Sequence, residues 1–342
     1  MPFIPSFVPP PPFQQASPAW NRGRCAAEAC RLEASAEKPG NVHPGAAFID
    51  LSHAELVAAG VAIAPALEQA PIERLGQTIL AAVRASSCVT RSNANLGIVL
   101  ALAPVAAAAK EEPRRSVTAA GIAAVVSRLG PLDAADVWEA IRLANPGGMG
   151  KVSAADLRDP PPADLLAAMA AAAPHDQIAR LWTAGYASLF DGLVEDLLAE
   201  LGSGHSLGDA IVRGYLRQLA RESDSLVARR HGASVAGEVS RGAADVLRAG
   251  AGDWKNAVAT FDRSLRVPVK INPGTTADLV ATALFILLWE GRLQALLGNE
   301  LALAAVLRSS SSTASESSPA SSPNSSPAAS SVASSLFPAE PS

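Results

Sequence analysis

The run LVATALFILLW, residues 279–289, is almost uniformly apolar and follows directly on a polar turn, INPGTTAD. A segment with no polar face belongs either in the hydrocarbon core of a bilayer or in the centre of a globular domain. A spanning helix needs roughly 20 apolar residues. Neither this run nor the other long one, LGIVLALAPVAAAA (96–109), is that long. Both are therefore expected as core helices surrounded by other helices. Composition agrees, because aromatic residues make up only 4% of the chain while Ala is very frequent. Small side chains suit helices that touch helices, whereas sheets favour β-branched and aromatic residues. The fold class expected is all-α.

Helical periodicity recurs between the ends of the chain. HAELVAAGVAIAPALEQA (53–70) is amphipathic, and IERLGQTILAAVRASS (72–87) places Leu75, Ile79 and Val83 on one face. SVTAAGIAAVVSRLG is expected to close on Gly130 as its C′ residue, and DAADVWEAIRLANPGG to start on Asp133 as N-cap and stop before Pro146. Residues 162–201 read as two helices broken at Pro174. Further helices are expected at about 206–222, 233–249, 252–263 and 276–306. The best strand candidate, RVPVKI (266–271), contains Pro268, which demotes it.

The Pro-rich residues 1–21 and the Ser/Pro/Ala-rich residues 308–342 carry few large apolar side chains to offset ordering entropy, so both are expected to be disordered tails. That leaves one all-helical domain over 22–307. The balance of 28 basic and 32 acidic residues, net −4, exerts no general pull on nucleic acid or an anionic membrane. The three cysteines, Cys25, Cys30 and Cys88, form no CxxC pair and read as free thiols of a cytoplasmic protein. The N-terminus has no basic n-region and is broken by prolines, which makes it a poor signal peptide. An Ala-rich helical surface makes a homodimer a plausible assembly.

Familiar catalytic motifs fail. NPGGMGKVS (145–153) has the wrong glycine spacing for a P-loop, and Val152 follows the lysine where Ser or Thr is required. The same stretch lacks the third glycine of a dinucleotide motif and reads as an interhelical turn. The five histidines show no HExxH spacing, and no GxSxG elbow is present.

What remains is a set of polar clusters beside helix boundaries. Glu33 and Glu37 fall one helical turn apart, before the break at Lys38-Pro39-Gly40. Asn93 and Asn95 precede an apolar helix, Asp176 and Arg180 are spaced i, i+4, and RESDSLVARRHG contains Asp224, Arg229 and Arg230. Asn272, Gly274, Thr275, Thr276 and Asp278 form the last cluster. Each alone has an ordinary explanation. Asn93 is an N-cap, Asp176–Arg180 a helix ion pair, Arg229-Arg230 a solvated face, and Thr275 with Asp278 a variant capping box. Together, carboxylates, amides and cations at the mouths of several apolar helices are the pattern expected where oxygen ligands hold Mg²⁺ and helix N-termini hold phosphate.

LEASAEKPGNVHP, SNANLG, HDQIA, DSLVARRHG and NPGTTADLVATALF occur in this order. The set resembles the triphosphoribosyl-dephospho-CoA synthase family over roughly Cys25 to Leu307, with E-x4-KPGNV and NPGTTADL the most specific pieces. The resemblance implies an all-helical transferase. In that family the ribose 2′-hydroxyl of 3′-dephospho-CoA attacks C1′ of ATP, adenine leaves, and the triphosphate stays on the transferred ribose. It implies Mg²⁺ as cofactor, ATP and a phosphorylated acceptor such as dephospho-CoA as substrates, and neither nucleic acid nor membrane as partner. Mapped onto this chain, Glu33, Asp50, Asp224 and Asp278 become the catalytic candidates, and Glu33, Asp176, Asp224 and Asp278 the metal candidates. Lys38, Asn93, Asn95, Arg229, Asn272, Gly274, Thr275 and Thr276 become the nucleotide and phosphate candidates. The chain departs from the best-known members, which carry KPGLVD for KPGNVH, so that His43 stands in place of an acid. They also carry THKG near ANLG, RGEA near GGMGK, and SPGGSADLL for NPGTTADLV. This pattern marks a divergent branch. It keeps open a paralogue that acts on another phosphorylated substrate in one-carbon coenzyme biosynthesis. A non-catalytic helical interaction module is the third reading, and it requires the polar clusters to scatter rather than converge.

Overall fold

The computed structural model describes residues 20–71, 73–90, 92, 94–111, 116–144, 160–250 and 252–293, all within the compact unit Met1–Ala295. The expectations for the 145–153 turn, for Asn93, for 294–307 and for almost all of both tails lie outside the described residues. Among the described residues there are fourteen α-helices, one π-helical segment and no strand, so the chain is all-α. No described helix is long and apolar enough to cross a membrane.

The first helices are α1 (Arg22–Ser35), α2 (His53–Glu68) and α3 (Leu75–Ser87). The Asn21 side chain caps α1, and Ser52 with Glu55 forms a capping box on α2. A Cβ at Gly60 would lie 2.5 Å from the Cβ of Cys30, so the α1–α2 contact is close enough to require a residue without a side chain. That is what an Ala/Gly-rich sequence provides.

α4 (Leu96–Glu111) carries the apolar run 96–109 and is buried over nearly its whole length. Pro104 has no N–H to give to the carbonyl of Leu100. Trp182 Nε1 supplies the missing donor at 3.0 Å, and the Tyr186 hydroxyl donates to Ala101 O at 2.9 Å.

α5 (Ala119–Val126) ends short of Gly130. The next helix, α6 (Pro131–Ala144), starts three residues earlier than an N-cap at Asp133 would place it, with Pro131 in its first turn. Asp133 therefore lies inside the helix. Its carboxylate accepts from Gly130 N at 3.0 Å and, across to α3, from Gly76 N at 2.8 Å. Gly130 thus precedes a helix rather than closing one.

Residues 162–201 form three pieces instead of two. α7 (Leu165–Ala172) and α8 (Gln177–Ala184) separate at Pro174, and Gly185, at φ +73°, ends α8. A π-helical segment (Leu189–Val194) then leads into α9 (Glu195–Gly202). α10 (Leu207–Arg221), α11 (Ser225–His231), α12 (Ala233–Arg248) and α13 (Trp254–Arg266) follow. α11 is distinct because Asp224 caps its start and Gly232, at φ +93°, breaks its end.

α14 (Gly274–Trp289) contains the apolar run 279–289, and from Thr275 to Leu288 every residue but Asp278 is buried. It packs against α1, α4 and the π-helical segment at the centre of the domain. It stops at Trp289 rather than running on, because Gly291, at φ +77°, turns the chain and Arg292 N donates back to Leu287 O at 2.9 Å.

Candidate active site

Two loops meet at the N-terminal end of α14. The KPGNV loop leaves α1 and crosses the INPG turn at very short range. A Cβ on Gly40 would sit 2.8 Å from the carbonyl oxygen of Ile271, and Gly40 has φ +79°, so glycine is required there twice over. The loop is anchored by Tyr215, whose hydroxyl donates to Pro39 O at 2.8 Å, and by Arg266, which donates to Asn41 O at 2.6 Å. Asn41 Nδ2 donates to Asn272 Oδ1 at 2.6 Å, which joins the two loops directly.

A cavity of about 550 Å³ opens beside this junction. Its polar wall holds Glu33, Asp176, Arg229, Asn272, Thr275 and Asp278, while Trp138, Ile141, Leu165 and Met169 form an apolar wall opposite. Volume and lining match the common pattern for a small-molecule site, an apolar concavity with a few convergent polar groups. Of the thirteen residues given site roles from the sequence, Glu33, Asp176, Arg229, Asn272, Gly274, Thr275 and Asp278 line this cavity.

The others lie elsewhere. Asp224 and Thr276 are fully buried just behind the wall. Asp224 Oδ1 accepts from Leu226 N at 2.9 Å and Val227 N at 3.0 Å, and its Oδ2 from Thr276 N at 2.7 Å and Thr276 Oγ1 at 2.8 Å. One carboxylate thus caps α11 and the first turn of α14, and the amide of Thr276 is already occupied. Lys38 is also fully buried. Its ammonium donates to the carbonyls of Glu33 and Ala36 and lies 3.0 Å from Glu33 Oε1. With three donors so placed it fixes Glu33 rather than reaching the cavity. Asn95 is buried, and its Nδ2 has no partner among the described residues, just before the start of α4. Asp50 is exposed in a neighbouring cleft and pairs with Lys270 at 3.0 Å. Glu37 falls beyond the end of α1 and is exposed, so it shares no face with Glu33.

Two expected local pairings do not form, and one of them is replaced by long-range pairs. Asp176 caps α8 through Oδ1, and its Oδ2 accepts from Arg229 Nη1 at 2.6 Å. Arg180 pairs instead with Glu222 at 2.6 Å. Asp278 is the fifth residue of α14, too far along to complete a capping box, and its carboxylate accepts no hydrogen bond among the described residues.

Asp278 is therefore the electrostatic focus of the cavity. Burial pushes its carboxyl well above the usual carboxylate range; the nearby charges of Glu33, Asp224 and Asp176 push the same way, and Arg229 opposes them. Burial, with Glu33 and Asp278, also raises the Cys30 thiol, which therefore stays protonated and is no nucleophile. A Cβ on Gly97, in the first turn of α4, would fall 1.9 Å from Asp278 Oδ2. The space that the carboxylate occupies exists because residue 97 has no side chain. Gly97 and Asn41 are site residues that sequence reasoning missed, and Arg230, noted there as one of a basic pair but given no role, also lines the cavity. The SNANLG and KPGNV segments mark the neighbourhood of the first two, but no spacing rule singles them out.

Among the described residues no group of three or more His, Cys, Asp or Glu is arranged to hold a metal ion. The donor set fits a different case. Mg²⁺ is commonly held by one or two carboxylates together with substrate phosphates, and this cavity offers three carboxylates of which only two have cationic partners.

With the geometry in place, comparison with known proteins identifies the lineage. The ATP:dephospho-CoA triphosphoribosyl transferase family matches residues 19–296. The chain belongs to this family and is accordingly a transferase of the pentosyl-transferring type. Among solved structures, an Archaeoglobus fulgidus protein provisionally described as a triphosphoribosyl-dephospho-CoA synthase superposes with a TM-score of 0.55 and 25% identity. The match covers 69% of this chain and 99% of that one. No curated protein matches the sequence.

Proposed function

We propose that this member of the ATP:dephospho-CoA triphosphoribosyl transferase family joins ATP to 3′-dephospho-CoA in the 550 Å³ cavity and releases adenine. The observation that carries the reading is convergence: the last turn of α1, the starts of α8 and α14, and α11 bring Glu33, Asp176, Asp278 and Arg229 to one cavity. A non-catalytic helical module would leave them scattered.

In the reaction the acceptor's 2′-oxygen bonds to C1′ of ATP and the bond from C1′ to the adenine nitrogen breaks. The leaving base takes the bonding pair and is protonated as it departs. The hydroxyl proton passes to Asp278 in its ionised form, the form that the neighbouring Arg229 favours. A carboxyl with a raised proton affinity is a better base for an alcohol than an ordinary exposed aspartate, and proton transfer of this kind contributes about 10²–10⁴-fold. Positive charge builds at C1′, as in glycoside hydrolysis. Glu33, immobilised by Lys38, faces the cavity and steadies that charge. Arg229, aligned by Asp176, donates to the triphosphate. The positive ends of the α8 and α14 dipoles favour the same anion. Mg²⁺ would be held by Asp176 together with phosphate oxygens, and when bound it would neutralise part of the triphosphate charge.

The test is to incubate the purified chain with ATP, Mg²⁺ and dephospho-CoA and to separate the products by chromatography. Free adenine and an acceptor heavier by one triphosphoribosyl group are expected. A folded protein that binds ATP yet releases no adenine would sink this acceptor and favour the paralogue reading.

A further inference from the structure

The cavity continues past Phe48, Leu51, Arg230 and Asn272 into a second cleft of about 970 Å³. The chemistry changes at that boundary. The inner space has an apolar wall, whereas the outer cleft is lined by hydroxyls, by Asp50 and Glu55, and by Arg230 and Lys270. Arg229 and Arg230 are consecutive on α11, so their side chains leave the helix about 100° apart. They point in different directions, although both border the inner cavity. Arg229 reaches inward to Asp176, and Arg230 stands where the two spaces meet. Lys270 rests between Asp50, at 3.0 Å, and the face of Phe48, at 3.6 Å.

We propose that the outer cleft is the acceptor's diphosphate site, with Arg230 and Lys270 as its phosphate-binding residues, while the donor triphosphate stays in the inner cavity with Arg229. The assignment rests on the transferase reading and adds to it which substrate lies where. A reaction that joins two nucleotides must hold two phosphate chains that repel each other, and separation on either side of the reacting atoms lowers that repulsion. In the outer cleft two cations face two carboxylates. An acceptor diphosphate would displace Asp50 from Lys270, and a pair as exposed as this one is weak. A triphosphate would bring more negative charge against Asp50 and Glu55 with no cation left to offset it. The outer cleft also gives room for the arm that continues beyond the acceptor's diphosphate, so the reactive ribose can enter while the arm stays outside.

The experiment measures binding of dephospho-CoA, AMP and ATP by calorimetry to the full chain and to its Arg230→Ala and Lys270→Ala variants. AMP carries the nucleoside and one phosphate but lacks the second phosphate and the arm. The wild type is expected to bind dephospho-CoA more tightly than AMP. Arg230→Ala should weaken dephospho-CoA about tenfold and Lys270→Ala about threefold, as for the loss of a charge-assisted phosphate contact. AMP and ATP should change by less than about twofold. Lys270 is exposed, so its variant remains informative if Arg230→Ala does not fold. Loss of ATP affinity with dephospho-CoA unchanged would place the triphosphate in the outer cleft and overturn the assignment, as would no change in either ligand. Failure of the transferase reading itself looks different: the wild type would bind ATP, ignore dephospho-CoA and release no adenine.

Discussion

The starts of α11 and α14 each carry an aspartate enclosed by protein, and the two have opposite surroundings. Burial pushes both carboxyls upward. Asp224 is met by four donors from two helices, which favour its charged form and fasten α11 to α14. Asp278 is met by none, and the charges of Glu33, Asp224 and Asp176 push its carboxyl further in the same direction as burial. A satisfied buried carboxylate is part of the frame. An unsatisfied one that faces a cavity is poised to take a proton or a cation. The sequence presents both residues alike, one turn from a helix mouth.

The comparison can be broken in several ways. The largest effect is expected at Asp278→Asn, where turnover should fall about 10³-fold, within the range for loss of a proton acceptor, with the melting temperature maintained. Steady-state adenine release and a thermal melt on one preparation decide it. Asp224→Ala should reverse the pattern. It strands four buried donors and should lower stability by about 3 kcal/mol, read from denaturant unfolding. Gly97→Ala should cost about 30-fold in turnover, because a Cβ there displaces the Asp278 carboxylate and small misplacements in a reacting site are costly. Its melting temperature should change far less than that of Asp224→Ala.

The smallest effect is on stability against pH. The folded-state proton affinity of Asp278 is raised, so above the unfolded carboxyl range the folded chain holds a proton that the unfolded chain has released. Stability therefore falls as pH rises from the unfolded value through the folded one. Asp278→Asn removes that fall. The variant should match the wild type near pH 4 and gain on it toward pH 8; a gap that closes with rising pH would contradict the sign.

Much of the frame was legible. The apolar runs 96–109 and 279–289 fixed two central helices, because a segment with no polar face must be surrounded. The KPGNV and NPGTTAD segments marked two loops that do meet. What was hidden depended on partners far away in the chain. Asp176 turns from Arg180, four residues on, to Arg229, 53 residues on, because α11 delivers a guanidinium to the same cavity. Lys38 looked like a phosphate ligand, and nothing local shows that Glu33 and two carbonyls use its donors. Gly97 looked like one more glycine in an Ala/Gly-rich helix until the carboxylate beside it, about 180 residues further along, came into view. Helix ends shifted for a related reason. Asp133 serves Gly76 on α3 as well as its own helix start, and a cap shared with a distant element leaves no local mark.

The most direct measurement sets the two aspartates side by side. Adenine release from ATP in the presence of dephospho-CoA and Mg²⁺ would be followed for the wild type, Asp278→Asn and Asp224→Ala, with a melting curve recorded for each. A crossed result is expected, in which Asp278→Asn melts no earlier than the wild type and releases adenine about 10³-fold more slowly, while Asp224→Ala melts early and retains turnover below its melting range. An Asp278→Asn protein that releases adenine at the wild-type rate, or that unfolds as Asp224→Ala does, would contradict it.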